Sequence, residues 1–144
     1  MQVNKKLTIH VPDYKSNITI AFISDEVSAG FPSPATDFME NSIDLNKELT
    51  NNPLATFYIK VKGNSMVDAG INDKDVLVVD RSLEPQHNKI AICFIDGEFT
   101  VKRIKLKNNI LQLVPENKDY ASIIITEENQ LIIWGIVTYV IKKI

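Results

Sequence analysis

Ser65 and Lys102 bring together a nucleophile and a base in a chain with few other catalytic groups. A serine hydroxyl attacks a carbonyl carbon only when a neighbouring group takes its proton. Histidine usually does this, but His10 and His87 have no recognisable catalytic setting. A lysine can replace histidine if burial lowers its pKa from about 10.4 toward about 7–8, because burial disfavours the ammonium form. Together the two residues would support acyl transfer, such as peptide-bond hydrolysis.

Ser65 also fits a purely structural role. It lies between Gly63 and Gly70, where the first turn of a short helix would leave backbone N–H groups free in a positive local field. An oxyanion is stabilised at such a place. The serine-x-x-acid pattern that Ser65 forms with Asp68 is, however, typical of a helix cap. Taken alone, this segment favours capping over catalysis.

Lys102 lies in a predicted strand, and alternation leaves its orientation open. Lys102 shares one face with Ile104, whereas Arg103 shares the other with Val101. Periodicity does not decide which of the two basic residues points inward. Arginine stays charged and cannot act as a base, so only Lys102 qualifies chemically. A solvated strand lysine is the structural alternative, since lysine is rarely fully buried.

The region before the serine divides into two parts. Residues 1–34 contain a glycine and two prolines at positions 30–34, which disfavour a helix or a central strand and predict an extended, exposed arm. A helix is predicted over residues 35–49, because its apolar residues fall on one face: Phe38, Leu45 and Leu49. We therefore expect two parts, an N-terminal arm of residues 1–34 and a β domain of residues 35–144.

The rest of the chain has the pattern of many short strands. The strongest hairpin signal is Asp96-Gly97, which separates two apolar runs. Strands are predicted at 56–62, 76–79, 89–95, 98–104, 110–114, 122–126 and 131–141, with weaker candidates at 7–11 and 18–23. This pattern predicts a mostly β fold, a partly closed antiparallel β domain with one short N-terminal helix and an extended arm. The uncharged run at 131–141 suits either an interface strand or a buried core strand.

Composition excludes several classes of protein. A hydrophobic content of 44% and a charged content of 24% are typical of a soluble globular domain. A net charge of -2 argues against a protein that holds nucleic acid mainly by its phosphates. No apolar run reaches the ~18 residues needed to span a bilayer. The single cysteine, Cys93, predicts a reducing cytoplasm. Without metal-ligand spacing or a glycine-rich phosphate loop, we expect no metal and no cofactor.

Four segments together resemble the LexA/UmuD family of self-cleaving serine–lysine proteases, and specifically its UmuD branch. The resemblance covers about residues 25–143, and the interval of 37 residues from Ser65 to Lys102 is in keeping with that branch. The four segments are GFPSPA at 30–35, IDLN at 43–46, GNSMVDAGI at 63–71 and DGEFTVK at 96–102. Found together in this order, they outweigh the structural roles that Ser65 and Lys102 would each favour alone.

The resemblance implies a LexA/signal-peptidase-like fold and a role for each matching residue. Ser65 becomes the nucleophile and Lys102 the neutral base. The backbone amides of Asn64 and Ser65 become the oxyanion hole. The scissile bond becomes Ala29–Gly30, whose small residues fit a narrow site and let the backbone thread through it.

The same resemblance implies a cytoplasmic homodimer that acts in the SOS DNA-damage response. A RecA filament on single-stranded DNA would promote cleavage. The trimmed product would then be an accessory subunit of an error-prone Y-family translesion DNA polymerase. The family's repressors carry an N-terminal DNA-binding domain, for which 29 residues before the proposed bond leave no room. We therefore expect no direct sequence-specific DNA binding.

Two other functions remain open at this stage. One is a non-catalytic dimeric binding module that regulates a polymerase or RecA, in which the serine and lysine are vestigial. The other is a signal-peptidase-like enzyme that acts on exported proteins, which the lack of any membrane anchor disfavours.

Overall fold

The structure, a computed structural model, describes residues 7–13, 20–22 and 40–144. Within these ranges the chain forms ten strands, one α-helix and two short 3₁₀ turns, and it divides into two compact units. The helix is α1 (Leu45–Glu48), and the strands are β1 (Leu7–His10), β2 (Ile20–Phe22), β3 (Glu40–Ile43), β4 (Thr56–Val61), β5 (Val76–Asp80), β6 (Ile90–Ile95), β7 (Glu98–Lys107), β8 (Ile110–Val114), β9 (Ile123–Ile124) and β10 (Leu131–Ile141).

The larger unit comprises Met1–Pro12 and Asn52–Ile144. Its eight strands form one antiparallel sheet in the order β1-β4-β5-β10-β6-β7-β8-β9, with β1 and β9 at its edges. The sheet does not close on itself. The predicted fold class, mostly β with an antiparallel sheet and one short helix, is therefore confirmed.

Most strand predictions agree with the structure to within a few residues. The bounds of β8 and β10 are those predicted, and β7 continues to Lys107, three residues beyond its predicted end. The hairpin between β6 and β7 turns at Asp96 and Gly97, whose φ angles are 47° and 88°. Two successive positive φ angles are typical of the two-residue turns that match the twist of a hairpin.

The core consists of two clusters on opposite faces of β6 and β7. Because neighbouring residues of a strand point to opposite faces, Ile92 and Val101 belong to one cluster and Cys93 and Ile104 to the other. The first cluster also contains Ile59, Met66, Ile71, Leu77 and Val79, and the second contains Ala91, Leu113 and Ile136. The loop that carries Ser65 is joined to the first cluster through Met66, which is 2% exposed.

The smaller unit, Asp13–Asn51, corrects the predicted start of the helix. Residues 40–43, predicted to be helical, form β3, which pairs with β2. The helix begins only at Leu45, because the Asp44 carboxylate caps it by accepting hydrogen bonds from the N–H groups of Asn46 and Lys47 at 3.0 and 3.4 Å. Leu45, assigned to the apolar face, is 57% exposed. The remainder of the predicted helix, residues 35–39, lies outside the described residues.

Residues 23–39 also include the predicted scissile bond between Ala29 and Gly30, which therefore lies outside the described residues. The division into an arm of residues 1–34 and a domain of residues 35–144 stays a prediction. In the described ranges, no helix has the length and apolar character needed to cross a membrane.

Candidate active site

Ser65 lies in the loop that follows β4, between two glycines with left-handed backbone. Gly63 has a φ angle of 106° and donates its N–H to Asp73 Oδ1 at 2.7 Å. Gly70 has a φ angle of 81° and ends the 3₁₀ turn at Val67–Ala69 by donating its N–H to the Val67 carbonyl oxygen at 3.0 Å. Glycine adopts such angles without the steric cost that a side chain adds. Sequence and structure thus agree that a short, sharply bounded segment carries the serine.

The 3₁₀ turn does not use the Ser65 hydroxyl as a cap. Its N-cap residue is Met66, and no side-chain hydrogen bond caps the turn in the described chain. The hydroxyl oxygen of Ser65 lies instead 3.4 Å from the amine nitrogen of Lys102. The pattern that Ser65 forms with Asp68 is therefore not a capping box in the folded protein.

Lys102 reaches the site from β7, and the residue is only 7% exposed. Arg103, on the opposite face, is half-buried and forms an ion pair with Glu116. The structure thus settles the orientation that alternation left open, since the inward-pointing basic residue is Lys102. The pairing of Lys102 with Ala91 of β6 fixes its position along the strand.

Three uncharged oxygen atoms lie within hydrogen-bond distance of the Lys102 amine. They are Thr100 Oγ1 at 2.7 Å, the Val101 carbonyl oxygen at 3.1 Å and Ser65 Oγ at 3.4 Å. A neutral amine carries two N–H donors and one lone pair. When its N–H groups point to Thr100 and Val101, its lone pair is left for the proton of Ser65. The arrangement is therefore suited to proton transfer from the serine to the lysine.

A small cleft opens at the serine and the lysine. Its volume is about 110 Å³, and its apolar lining includes Val61, Met66, Val101 and Tyr120. Pockets for drug-sized ligands are several times larger, about 300–1,000 Å³. A space of this size is suited to a short side chain.

The thiol of Cys93 lies on the strand next to Thr100 and Lys102 and keeps its proton. It is fully buried on β6, directly opposite Thr100. Burial raises the pKa of the Cys93 thiol to about 12, although the positive charge of Lys102 acts in the opposite direction. A buried neutral thiol is neither a nucleophile nor a metal ligand, so Cys93 serves as a small core residue.

The segment after β8 holds the serine loop by three hydrogen bonds. The backbone N–H of Glu116 donates to the Ser65 carbonyl oxygen at 2.9 Å, and the backbone carbonyl oxygen of Glu116 accepts from the Asp68 N–H at 2.7 Å. The side chain of Asn117 donates from Nδ2 to the Asn64 carbonyl oxygen at 2.8 Å. These contacts connect the loop of the serine with the strand hairpin that carries the lysine.

Sequence reasoning missed three residues that contact the site. Thr100 carried a usable signal, because it stands two residues before Lys102 and so shares its strand face. Glu116 and Asn117 carried none, because polar residues after a strand are ordinary loop residues, and their partners lie about 50 positions away in the sequence.

The predicted oxyanion donors lie in the same loop. Within the described ranges, the backbone N–H groups of Asn64 and Ser65 donate no hydrogen bond to the protein. They are available for a substrate oxygen. Across residues 7–13, 20–22 and 40–144, no three His, Cys, Asp or Glu side chains come together in a group that could hold a metal ion.

The chain is similar to known proteins over most of its length. Residues 21–138 match the family described as Peptidase S24-like. Protein ImpA of Salmonella typhimurium is 45% identical over 121 residues, which cover 83% of this chain and 81% of ImpA. Protein MucA of Escherichia coli is 43% identical over 122 residues, which cover 84% and 83% of the two chains. Protein SamA of Salmonella typhimurium is 41% identical over 125 residues, which cover 87% and 86%.

These matches span most of the chain and include both the serine loop and β7. The chain therefore belongs to the peptidase S24-like family, in the UmuD branch of the LexA/UmuD group, whose members are self-cleaving proteases of the SOS response.

Proposed function

We propose that this protease cuts its own Ala29–Gly30 bond with a dyad of Ser65 and Lys102. The trimmed product then acts as the accessory subunit of an error-prone Y-family translesion polymerase. The observation that carries the proposal is the 3.4 Å approach of the buried Lys102 amine to the Ser65 hydroxyl. If Lys102 were a solvated strand lysine and Ser65 a helix cap, neither role would require their side chains to be in contact.

The first step joins the serine to the substrate carbonyl. The neutral amine of Lys102 accepts the proton of the Ser65 hydroxyl, and Ser65 Oγ bonds to the carbonyl carbon of Ala29. The backbone N–H groups of Asn64 and Ser65 stabilise the negative oxygen that forms. A small cleft beside the dyad favours the methyl side chain of alanine at this position.

The second step breaks the peptide bond. The Lys102 ammonium returns its proton to the nitrogen of Gly30, which leaves as a free amine, and Ala29 stays attached to Ser65 as an ester. Water then gives a proton to Lys102 and attacks the ester as hydroxide, which releases Ala29 as a carboxylic acid that loses its proton to the solvent. The proton on Lys102 returns to Ser65 Oγ, so the dyad is restored.

Activation and partners extend this proposal. Because the cleavage segment belongs to the same chain, its effective concentration is high, and control must come from geometry and from the protonation of Lys102. A RecA filament on single-stranded DNA is the proposed activator, and the cytoplasm is the proposed location.

The proposed homodimer has a candidate surface on the last strand. β10 is a central strand that pairs with β6 from Leu131 to Ile136 and with β5 from Ile136 to Ile141. Its last residues are apolar yet exposed, with Tyr139, Val140 and Ile141 at 48%, 38% and 43% exposure. Apolar residues grouped in this way favour burial against another protein surface.

Intact mass of the purified protein tests the proposal. The wild type, Ser65→Ala and the control Ser122→Ala are incubated at neutral and alkaline pH, with and without RecA filaments on single-stranded DNA. Ser122 is an exposed serine before β9, so its loss is expected to leave cleavage unchanged. We expect a fragment that begins at Gly30 in the wild type and the control and not in Ser65→Ala.

Two results would contradict the proposal. Cleavage that persists in Ser65→Ala would remove the serine from the mechanism. Absence of cleavage in the wild type under every condition, filaments included, would instead favour the non-catalytic binding module.

A further inference from the structure

We propose that Asn117 is a positioning residue for the oxyanion hole. Its side-chain amide holds the peptide unit between Asn64 and Ser65 and so aims the Ser65 N–H at the substrate oxygen. This inference rests on the proposed function, because it assigns a purpose to the Ser65 N–H that only acyl transfer requires.

Both ends of the Asn117 amide are engaged, and chemistry determines which end makes which contact. Nδ2 lies 2.8 Å from the carbonyl oxygen of Asn64, which can only accept a hydrogen bond. Oδ1 lies 3.0 Å from the backbone nitrogen of Asp119, which can only donate. The donor end of the amide is therefore the end that meets the serine loop.

A contact to the Asn64 carbonyl determines the direction of the Ser65 N–H. The two groups belong to one planar trans peptide unit, in which the carbonyl and the N–H point in opposite directions. When Nδ2 of Asn117 holds the carbonyl on one side, the Ser65 N–H must point to the other. Rotation of this peptide unit would turn the N–H away from the oxyanion without moving the serine side chain far.

The next peptide unit is held from the same segment. The Ser65 carbonyl oxygen accepts the N–H of Glu116 at 2.9 Å, which fixes the unit between Ser65 and Met66. The carboxylate of Glu116 is in turn paired with Arg103 of β7, the residue after Lys102. Both peptide units that flank the nucleophile are thus held by two consecutive residues, and the first of these, Glu116, is paired with the strand that carries the base.

Asn117→Asp tests the inference with the smallest change. The aspartate keeps the oxygen that accepts from Asp119 and replaces the donor with a second oxygen that repels the Asn64 carbonyl. Asn117→Ala removes the donor without adding charge and serves if the first variant does not fold. Asn52→Asp is the matched control, because Asn52 Nδ2 also donates a side-chain hydrogen bond, to Ser82 Oγ at 2.7 Å. Asn52 precedes the start of β4, whereas the serine loop follows the end of that strand.

The measurement is the first-order rate of self-cleavage as a function of pH, with thermal unfolding of each variant alongside. Removal of an oxyanion donor costs about 10²–10³ in rate, so a misdirected donor is expected to lower the plateau rate about 10- to 100-fold. The midpoint of the pH profile is expected to stay at the wild-type value in the uncharged variant Asn117→Ala, since no hydrogen bond joins Asn117 to Lys102 in the described structure. The added carboxylate of Asn117→Asp is expected to raise the midpoint, because a negative charge favours the ammonium form. A general loosening of the fold would lower the unfolding temperature and not the plateau rate of folded protein.

Each outcome has a distinct meaning. A wild-type plateau rate in both Asn117 variants overturns the inference and leaves the proposed function intact. A shifted midpoint with an unchanged plateau in Asn117→Ala also overturns it, because the residue would then act on the base. Cleavage that survives Ser65→Ala, or a wild type that never cleaves, overturns the proposed function and this inference with it. A lower plateau in Asn117→Asp and Asn117→Ala, with Asn52→Asp unchanged, supports it.

Discussion

The amine of Lys102 lies 3.4 Å from the hydroxyl of Ser65, although 37 positions separate the two residues in the sequence. The serine is on a loop after β4 and the lysine is inside β7, two strands that are not neighbours in the sheet. Their approach therefore depends on the tertiary fold, including the hydrogen bonds that hold the serine loop, and it is the observation on which the proposed mechanism rests.

Lys102→Arg is expected to abolish self-cleavage at every pH. Arginine keeps the positive charge and much of the side-chain length but never loses its proton under these conditions, so it cannot accept one from Ser65. Loss of a general base typically lowers the rate about 10²- to 10⁴-fold. Intact mass after long incubation gives the measurement, and Lys107→Arg, at the exposed end of β7, is the matched control. Cleavage by Lys102→Arg at a near wild-type rate would exclude the lysine as base.

The rate of self-cleavage is expected to rise with pH and then level off. Only the unprotonated amine of Lys102 can act as base, so each pH unit below the midpoint lowers the reactive fraction about tenfold. The rate is measured by quenched time courses between neutral and alkaline pH, with circular dichroism at each pH to establish that the protein is folded. A flat profile over this range would argue against Lys102.

Thr100→Val is expected to lower the plateau rate of cleavage at alkaline pH about 5-fold. Valine has nearly the shape of threonine but lacks the hydroxyl that lies 2.7 Å from the Lys102 amine, and one such hydrogen bond is worth about 1 kcal/mol. The pH midpoint is expected to move to lower pH, because the lost oxygen also stabilised the ammonium form.

Two variants define what the Thr100 result means. Thr100→Ser keeps the hydroxyl and is expected to restore most of the rate. Thr138→Val removes a hydroxyl that donates to the Val78 carbonyl oxygen at 3.2 Å on β10, and it is expected to cleave normally. Equal rates for the valine and serine variants at position 100 would show that the hydroxyl does not contribute.

Cys93 is expected to make the folded protein less stable above about pH 9. Burial raises the pKa of its thiol from 9.0 to about 12 in the folded state, whereas the unfolded chain ionises near 9. The folded and unfolded states therefore bind this proton equally below pH 9. Between pH 9 and 12 the unfolded state gains stability from ionisation, by up to about 1.4 kcal/mol per pH unit.

The difference between wild type and Cys93→Ala isolates this effect. Alanine costs stability at all pH values because it leaves a cavity. The difference in the free energy of unfolding between the two proteins, measured in urea, is expected to shrink as the pH rises from 9 to 11. A constant difference would mean that the thiol ionises in the folded protein as easily as in the unfolded chain. The outcome also sets the upper pH limit for the cleavage assays.

Local patterns in the sequence predicted much of the fold. Alternation of apolar residues placed the strands from residue 56 onward, and Asp96-Gly97 predicted the hairpin whose second strand carries Lys102. The predicted helix began too early, because the pattern counted apolar spacing and did not register that the carboxylate of Asp44 would cap a helix that starts at Leu45. A capping side chain sets the first residue of a helix to within one or two positions. The spacing of apolar residues is read over several turns and does not locate the helix start that closely.

The sequence by itself determined which residues could take part in chemistry, since four segments in a fixed order, two of which carry Ser65 and Lys102, indicated the family. Only the tertiary structure decided that Lys102 and not Arg103 is buried, that the Ser65 hydroxyl meets an amine and does not cap a turn, and that Asn117 holds the serine loop. The physical reason is the separation in sequence over which each kind of interaction acts. Side-chain alternation and turn chemistry act between neighbours in the chain, whereas burial and the distance between two functional groups depend on which strands pair and how loops pack across them.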